Sequence, residues 1–203
     1  MSSLHDIPKG YETKMNIISA MIELGKNETI DEMTVSDICA RADITRQTFY
    51  HHFVDKYDAV QWYNLQLCSD LLGVIGNGLT WYESGLRMLV KTLDEQDFYH
   101  FTLSSSEDPN SLFSILSNTF YESWKKTLIE LPDFQYTDRI DYQLQAWSKL
   151  GYTLVSDWRE DGFRIPVEIA NELMISCMPY ELRTATDNYV LCKRKSESEK
   201  YSN

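Results

Sequence analysis

A chain of 203 residues that is 43% hydrophobic has material for a proper core and room for one large or two small domains, which excludes wholesale disorder. Its formal charge of −12 excludes a general nucleic-acid coat protein, which needs a basic surface. No apolar run approaches the roughly 20 residues of a membrane span, and the first residues, MSSLHDIPKGYETK, lack the apolar core of a secretory signal.

Residues 1–9 read as a loose arm. From about Tyr11 to Gly25, Met15, Ile18 and Ile22 recur at helical spacing, widened by Ile17, Met21 and Leu24, with Gly25 as the stop. KNETIDEM is a polar connection. Thr34 is a predicted N-cap with Asp37 three residues on, and Met33 and Ile38 form a hydrophobic staple around it. Val35, Ile38 and Cys39 face inward, and this helix ends near Arg41. Ala42, Asp43 and Ile44 make a turn with Ile44 as its buried plug, and Thr45 caps the next helix. That helix sets Phe49 and Phe53 one turn apart on an inner face and leaves Arg46, Gln47, Thr48, Tyr50, His51 and His52 to solvent. Two short helices joined by such a turn and backed by a third form a helix-turn-helix, the smallest unit that can bury a core and present a helix. The predicted DNA-binding domain is residues 1–54.

Asp55 and Lys56 open a long helix, YDAVQWYNLQLCSDLLGVIG, broken at Asn77-Gly78. LTWYESGLRMLVKTLDEQ is a further helix, DFYHFTL a short one and SSSEDP (104–109) a loop, with Pro109 near the start of the next helix. NSLFSILSNTFYESWKKTLIE is helical as far as Leu131-Pro132-Asp133. From Thr137 a stripe runs Ile140, Leu144, Trp147, Gly151, Leu154, Trp158, in alternating steps of four and three, the seam of a helix packed on other helices. Asp161-Gly162 stops it. Pro166 starts VEIANELMISCMPYELR at its first helical position, with Ile169, Leu173 and Cys177 on one face. The tail, residues 193–203, is polar and expected to be disordered. With no strand alternation of useful length, no repeat and no Gly-rich phosphate loop, the expected class is all-α.

The four cysteines, Cys39, Cys68, Cys177 and Cys192, are far apart and without ligand spacing, so they read as reduced, mostly buried thiols of a cytosolic protein. No metal or cofactor is expected. An enzyme would need a nucleophile–base pair or a metal cluster, and the four histidines are only His5, the adjacent His51-His52 and His100.

TVSDICARADITRQTFYHHFVDKYDAV resembles the N-terminal pattern of TetR-family transcriptional regulators: a Thr-led helix, a short turn, then T-[LF]-Y-x-[YH]-F and a Lys opening the fourth helix. The resemblance covers roughly residues 11–60. KTLDEQDFYHFTLSSSEDPNSLFSIL and LGYTLVSDWREDGFRIPVEIANEL resemble, more weakly, the C-terminal domain of the branch that includes dihydroxyacetone-kinase operon regulators. Arg46-Gln47 departs from the pattern, since many relatives carry a small residue or Gly there. The family implies a helical regulatory and dimerisation domain, here residues 55–192, whose last two long helices make a two-fold four-helix interface. Ile140, Leu144, Trp147, Gly151, Leu154, Trp158, Ile169 and Leu173 are expected in it.

Arg46 and Gln47 stand at the end of the recognition helix that enters the major groove, where Arg pairs bidentately with guanine and Gln with adenine. Thr45 and Thr48 can donate to phosphates or bases, or serve only as caps. Tyr50 resembles the family tyrosine that contacts the DNA backbone or a thymine methyl, with packing as the alternative. His51 and His52 would gain protons near phosphates, and as adjacent helical residues they point about 100° apart, against shared metal binding. Lys56 and Thr34, each at a helix start, are candidate phosphate clamps. Residues 1–63 hold six Lys/Arg against ten Asp/Glu, so non-specific affinity should be low and specificity should rest on the recognition helix. The family also implies an effector site inside the C-terminal domain. Trp62, Tyr63, Trp81, Tyr82, Phe98, Tyr99, Phe101, Phe120 and Trp124 could line it, or could be ordinary aromatic core. The expected function is a homodimeric, cytoplasmic bacterial repressor on a palindromic operator, released by a small molecule. The alternative is a co-activator whose C-terminal domain binds a protein partner.

Overall fold

The computed structural model describes residues 10–72, 75–76, 78–102 and 112–200. The predicted arm at 1–9 with His5, the SSSEDP loop with Pro109, Asn77 and residues 201–203 lie outside the described residues. Among those described the chain is all-α, with ten helices: α1 (Tyr11–Leu24), α2 (Val35–Ala42), α3 (Arg46–His52), α4 (Lys56–Leu72), α5 (Trp81–Asp94), α6 (Gln96–Thr102), α7 (Leu112–Glu130), α8 (Asp138–Glu160), α9 (Val167–Ser176) and α10 (Tyr180–Lys200).

They divide into two compact units. One holds the chain up to Gln66 together with Gln96–Thr102, the other Leu67–Glu95 and the chain from Leu103 on. The first unit is therefore larger than residues 1–54, because aromatic packing draws two more elements into it. Ala59, Val60 and Tyr63 on α4 are buried. The Tyr63 ring meets Phe98 of α6 edge-on at 4.8 Å, and Tyr99 donates a hydrogen bond to Asn64 at 2.9 Å. α6 also closes on α1: a Cβ added at Gly25 would lie 2.3 Å from the Phe101 ring. Gly25 ends α1 as expected, and its missing side chain also makes room for that phenylalanine.

In the second unit α7 and α8 run antiparallel. Tyr121, midway along α7, bonds Asp141 in the first turn of α8, and Phe113, at the start of α7, meets Tyr152 further along α8 edge-on. α5 packs on α9, where Asn171 donates to the Tyr82 carbonyl at 3.0 Å. Leu89, Trp158 and Ala170 form a buried cluster from α5, α8 and α9. α10 is tied to α5 and α8, with Asp187 accepting from Trp81 N and Gln143 from Leu182 N.

Two sequence expectations are corrected. The run from Pro166 to Arg183 is two helices, because Pro179 has no N–H to donate and restricts the residue before it. The tail expected to be disordered continues α10 as far as Lys200. Arg194, within that stretch, pairs with Glu83 of α5 at 2.8 Å and also donates to the Gly78 carbonyl.

Candidate nucleic-acid interface

The interface is built from the turn outwards. α2 begins at Thr34, whose hydroxyl accepts from Asp37 N at 3.2 Å while the Asp37 carboxylate accepts from Thr34 N, so the capping box is formed. α2 ends in a left-handed residue, Asp43, with φ of 52°, a conformation that a short polar side chain tolerates. Asn16 of α1 donates to the Ala42 carbonyl there at 2.8 Å, a contact between distant residues that no local pattern announces. Thr45 caps α3 by accepting from Thr48 N at 3.1 Å, and the two threonine hydroxyls bond each other at 2.9 Å. Met33, Ile38, Phe49 and Phe53 are buried. Ile44, expected as a buried plug, is half-buried.

On this core α3 turns Arg46, Gln47, Tyr50 and His51 to solvent. Tyr50 is 50% exposed and its ring stands edge-on to Phe49, so it packs at its base and projects at its tip. The Arg46 guanidinium reaches back across the turn. Its Nη1 donates to the Ser36 hydroxyl of α2 at 2.8 Å, and its Nη2 lies 3.4 Å from the Tyr50 hydroxyl. Sequence reasoning missed Ser36, because only the crossing of α2 and α3 brings it to Arg46.

Two expected roles change. His52 is half-buried, and a Cβ added at Gly10 would lie 2.7 Å from its ring. Burial, then the charges of His51 and Lys14, hold its pKa below the ordinary imidazole value, so it is not a ready cation. Lys14 itself lies 4.9 Å from both the Phe53 and Trp62 ring centroids. Lys56 does stand at the start of α4, but its ammonium donates to the Asp31 and Met33 carbonyls at 2.9 and 2.8 Å. Two of its three donors thus hold the loop that leads into α2. Among the described residues no three His, Cys, Asp or Glu side chains are grouped to hold a metal ion, and no helix is long and apolar enough to cross a membrane.

The aromatic residues considered for an effector site fall in two different units. Trp62, Tyr63, Phe98, Tyr99 and Phe101 belong to the first unit, and Trp81, Tyr82, Phe120 and Trp124 to the second. In each unit the rings meet one another: Phe98 touches Tyr99 and Phe101, and Trp124 is stacked on Phe120 and edge-on to Trp81. Tyr82 is exposed. Ring surface covered by another ring cannot face a ligand, so most of these residues are core.

The expected dimer seam also divides. Ile140, Leu144, Trp147 and Trp158 are buried within this one chain, so they are not available to a partner. Gly151 and Leu154 are half-buried. Ile169 and Leu173 are 46% and 52% exposed, and Leu150 and Ile165 join them as large apolar side chains in water. Between α8 and α9 runs a groove of about 560 Å³ whose lining includes Leu154, Trp158, Ile165, Leu173, Met174 and Cys177.

Residues 17–60 match the family model for bacterial regulatory proteins, tetR family. A curated relative, the HTH-type dhaKLM operon transcriptional activator DhaS of Lactococcus lactis subsp. lactis (strain IL1403), is 26% identical over 95 residues. That match takes in 47% of this chain and 50% of the relative, about half the relative's length. Among solved structures, a dihydroxyacetone kinase operon activator DhaS matches with a TM-score of 0.51 at 18% identity, over 82% of this chain and 93% of that one. The TetR family repressor AlkX from Dietzia sp. strain DQ12-45-1b matches with a TM-score of 0.47 at 15% identity, over 82% and 94%. Two capped helices around a tight turn and the exposed face of α3 lie within the residues that match this family model, so residues 17–60 form an N-terminal helix-turn-helix domain of the tetR-family type.

Proposed function

We propose that the chain works as a homodimer that reads a palindromic operator, with its two copies of α3 about one DNA turn apart. The observation that carries this is α3 itself, seven residues long, anchored by buried Phe49 and presenting Arg46 and Gln47 at its N-terminal end. Arg46 is assigned to a guanine and Gln47 to an adenine. Thr34, Thr45, Thr48, Tyr50, His51 and the remaining donor of Lys56 are assigned to phosphates and sugars, which fix register without reading sequence. Dimerisation is assigned to the exposed Leu150, Ile169 and Leu173 of α8 and α9, with the half-buried Leu154 beside them.

Two readings of the sign of regulation each have an observation behind them. Repression released by a small molecule is supported by Tyr152 and Ser156, one turn apart on α8. Their hydroxyls are buried without a hydrogen-bond partner, a state that calls for a polar guest or an ordered water. Activation is supported by the role named for the Lactococcus relative; on this reading the C-terminal domain would take a protein partner in place of a small molecule.

The test is selection of bound duplexes from a random pool at near-physiological salt, with an Arg46→Ala/Gln47→Ala variant as control. A palindrome enriched by the wild type and lost in the control is the expected result. No enrichment by a folded dimer overturns it. Placing the palindrome upstream of a reporter then decides the sign, since a repressor lowers output and an activator raises it.

A further inference from the structure

We propose that Ser36 is a specificity-determining residue of this interface, holding the Arg46 guanidinium in the pose that reads a base. The inference rests on the reading of Arg46 as the guanine contact. Arg46 is the first residue of α3, and Ser36 lies on the first turn of α2, so the 2.8 Å hydrogen bond spans the two helices of the motif. On the other side the guanidinium meets Tyr50, with Nη2 3.4 Å from its hydroxyl and Cζ 5.8 Å from its ring centroid.

Donor counting shows why this pose suits base reading. A guanidinium carries five N–H groups, two on each terminal nitrogen. One on Nη1 is taken by Ser36 and one on Nη2 points to Tyr50. Each terminal nitrogen keeps one free donor, and a pair of parallel donors is what the two major-groove acceptors of guanine require. An unheld arginine can turn its donors onto the acceptors of a wrong base as readily as onto guanine, whereas the Ser36 hydroxyl fixes the direction of the fork, so that a base without two acceptors in that place is met poorly. Ser36 is exposed and alanine is the best helix former, so its removal should spare the fold.

The experiment measures dissociation constants of the full chain for the selected palindrome and for palindromes changed one base pair at a time, over a range of salt. Arg46→Ala first identifies the base pair at which preference is lost. Ser36→Ala is expected to cut the preference at that same pair by about fivefold to tenfold. It should leave the melting temperature, the affinity for unrelated duplex and the slope against salt unchanged. Ser36→Thr, which keeps the hydroxyl, should restore the preference. Full discrimination in Ser36→Ala alongside its loss in Arg46→Ala overturns the role of Ser36 and leaves Arg46 standing. An equal loss on every duplex makes Ser36 a phosphate contact and also overturns it. No loss of preference in Arg46→Ala sinks the base-reading assignment and the positioning role with it.

Discussion

Lys56 shows how one side chain can look like a DNA contact and hold the fold instead. Its ammonium bonds two carbonyls of the loop before α2, and its neighbour Tyr57 donates to the Asp31 carboxylate at 2.6 Å. That bond to a carboxylate, with burial behind it, pushes the Tyr57 hydroxyl up to about 12, so it stays a donor throughout the physiological range. Two consecutive residues of α4 therefore fasten the segment that positions Thr34 and the start of α2. Lys56→Met keeps much of the apolar stem and deletes both charged hydrogen bonds, which should destabilise the chain by about 1–3 kcal/mol. A thermal melt checks this without any DNA present. An unchanged melting temperature would mean that the loop stands without Lys56, and that its ammonium matters only to phosphates.

At the scale of elements, what was readable in the sequence is what local residue types dictate. The caps at Thr34 and Thr45 and the inward Phe49 and Phe53 follow from spacings of three or four residues, which a helix enforces whatever surrounds it. The contacts of Ser36 with Arg46, Asn16 with Ala42 and Lys56 with Met33 span ten to 26 residues, and depend on how helices cross. The stripe on α8 was legible as a seam but not as to its partner, since periodicity states that a face needs covering and not which chain covers it. Here α7 and α10 cover much of it. The α7–α8 pair is pinned by Asp141, which bonds Lys125 at 2.8 Å, Tyr136 at 2.7 Å and Tyr121 at 2.9 Å. The ammonium of Lys125 first, then the two tyrosine hydroxyls, hold this carboxyl below its ordinary value. With the folded value depressed, the unfolded chain takes up the proton first on acidification. The stabilisation is therefore complete above the ordinary carboxylate range and is lost as pH falls through the folded value. Asp141→Asn should be less stable than the wild type at neutral pH, with the gap narrowing in acid. Denaturant titrations at several pH values measure it, and a gap that does not change with pH would show that the charge of Asp141 contributes nothing.

For the whole molecule, burial within one chain separates the side chains that build the fold from those left to build a dimer. Leu144 is wholly buried, whereas Leu173 is half in water on α9 beside the α8–α9 groove. A glutamate at position 144 would place an unpaired charge in the core, at a cost of several kcal/mol within a single chain, so Leu144→Glu should unfold the protein. A glutamate at position 173 can remain hydrated in a monomer and meets low dielectric only when a second copy closes over it. Leu173→Glu should therefore give a folded monomer, with wild-type helix content by circular dichroism and half the wild-type mass by light scattering. Linking two half-site readers raises affinity by about 10²–10⁴ through effective concentration, so the same variant should lose most of its preference for a palindrome over a single half-site. If Leu173→Glu keeps the dimer mass, pairing is carried by a different surface, and the exposed face of α9 must be assigned to a partner of another kind.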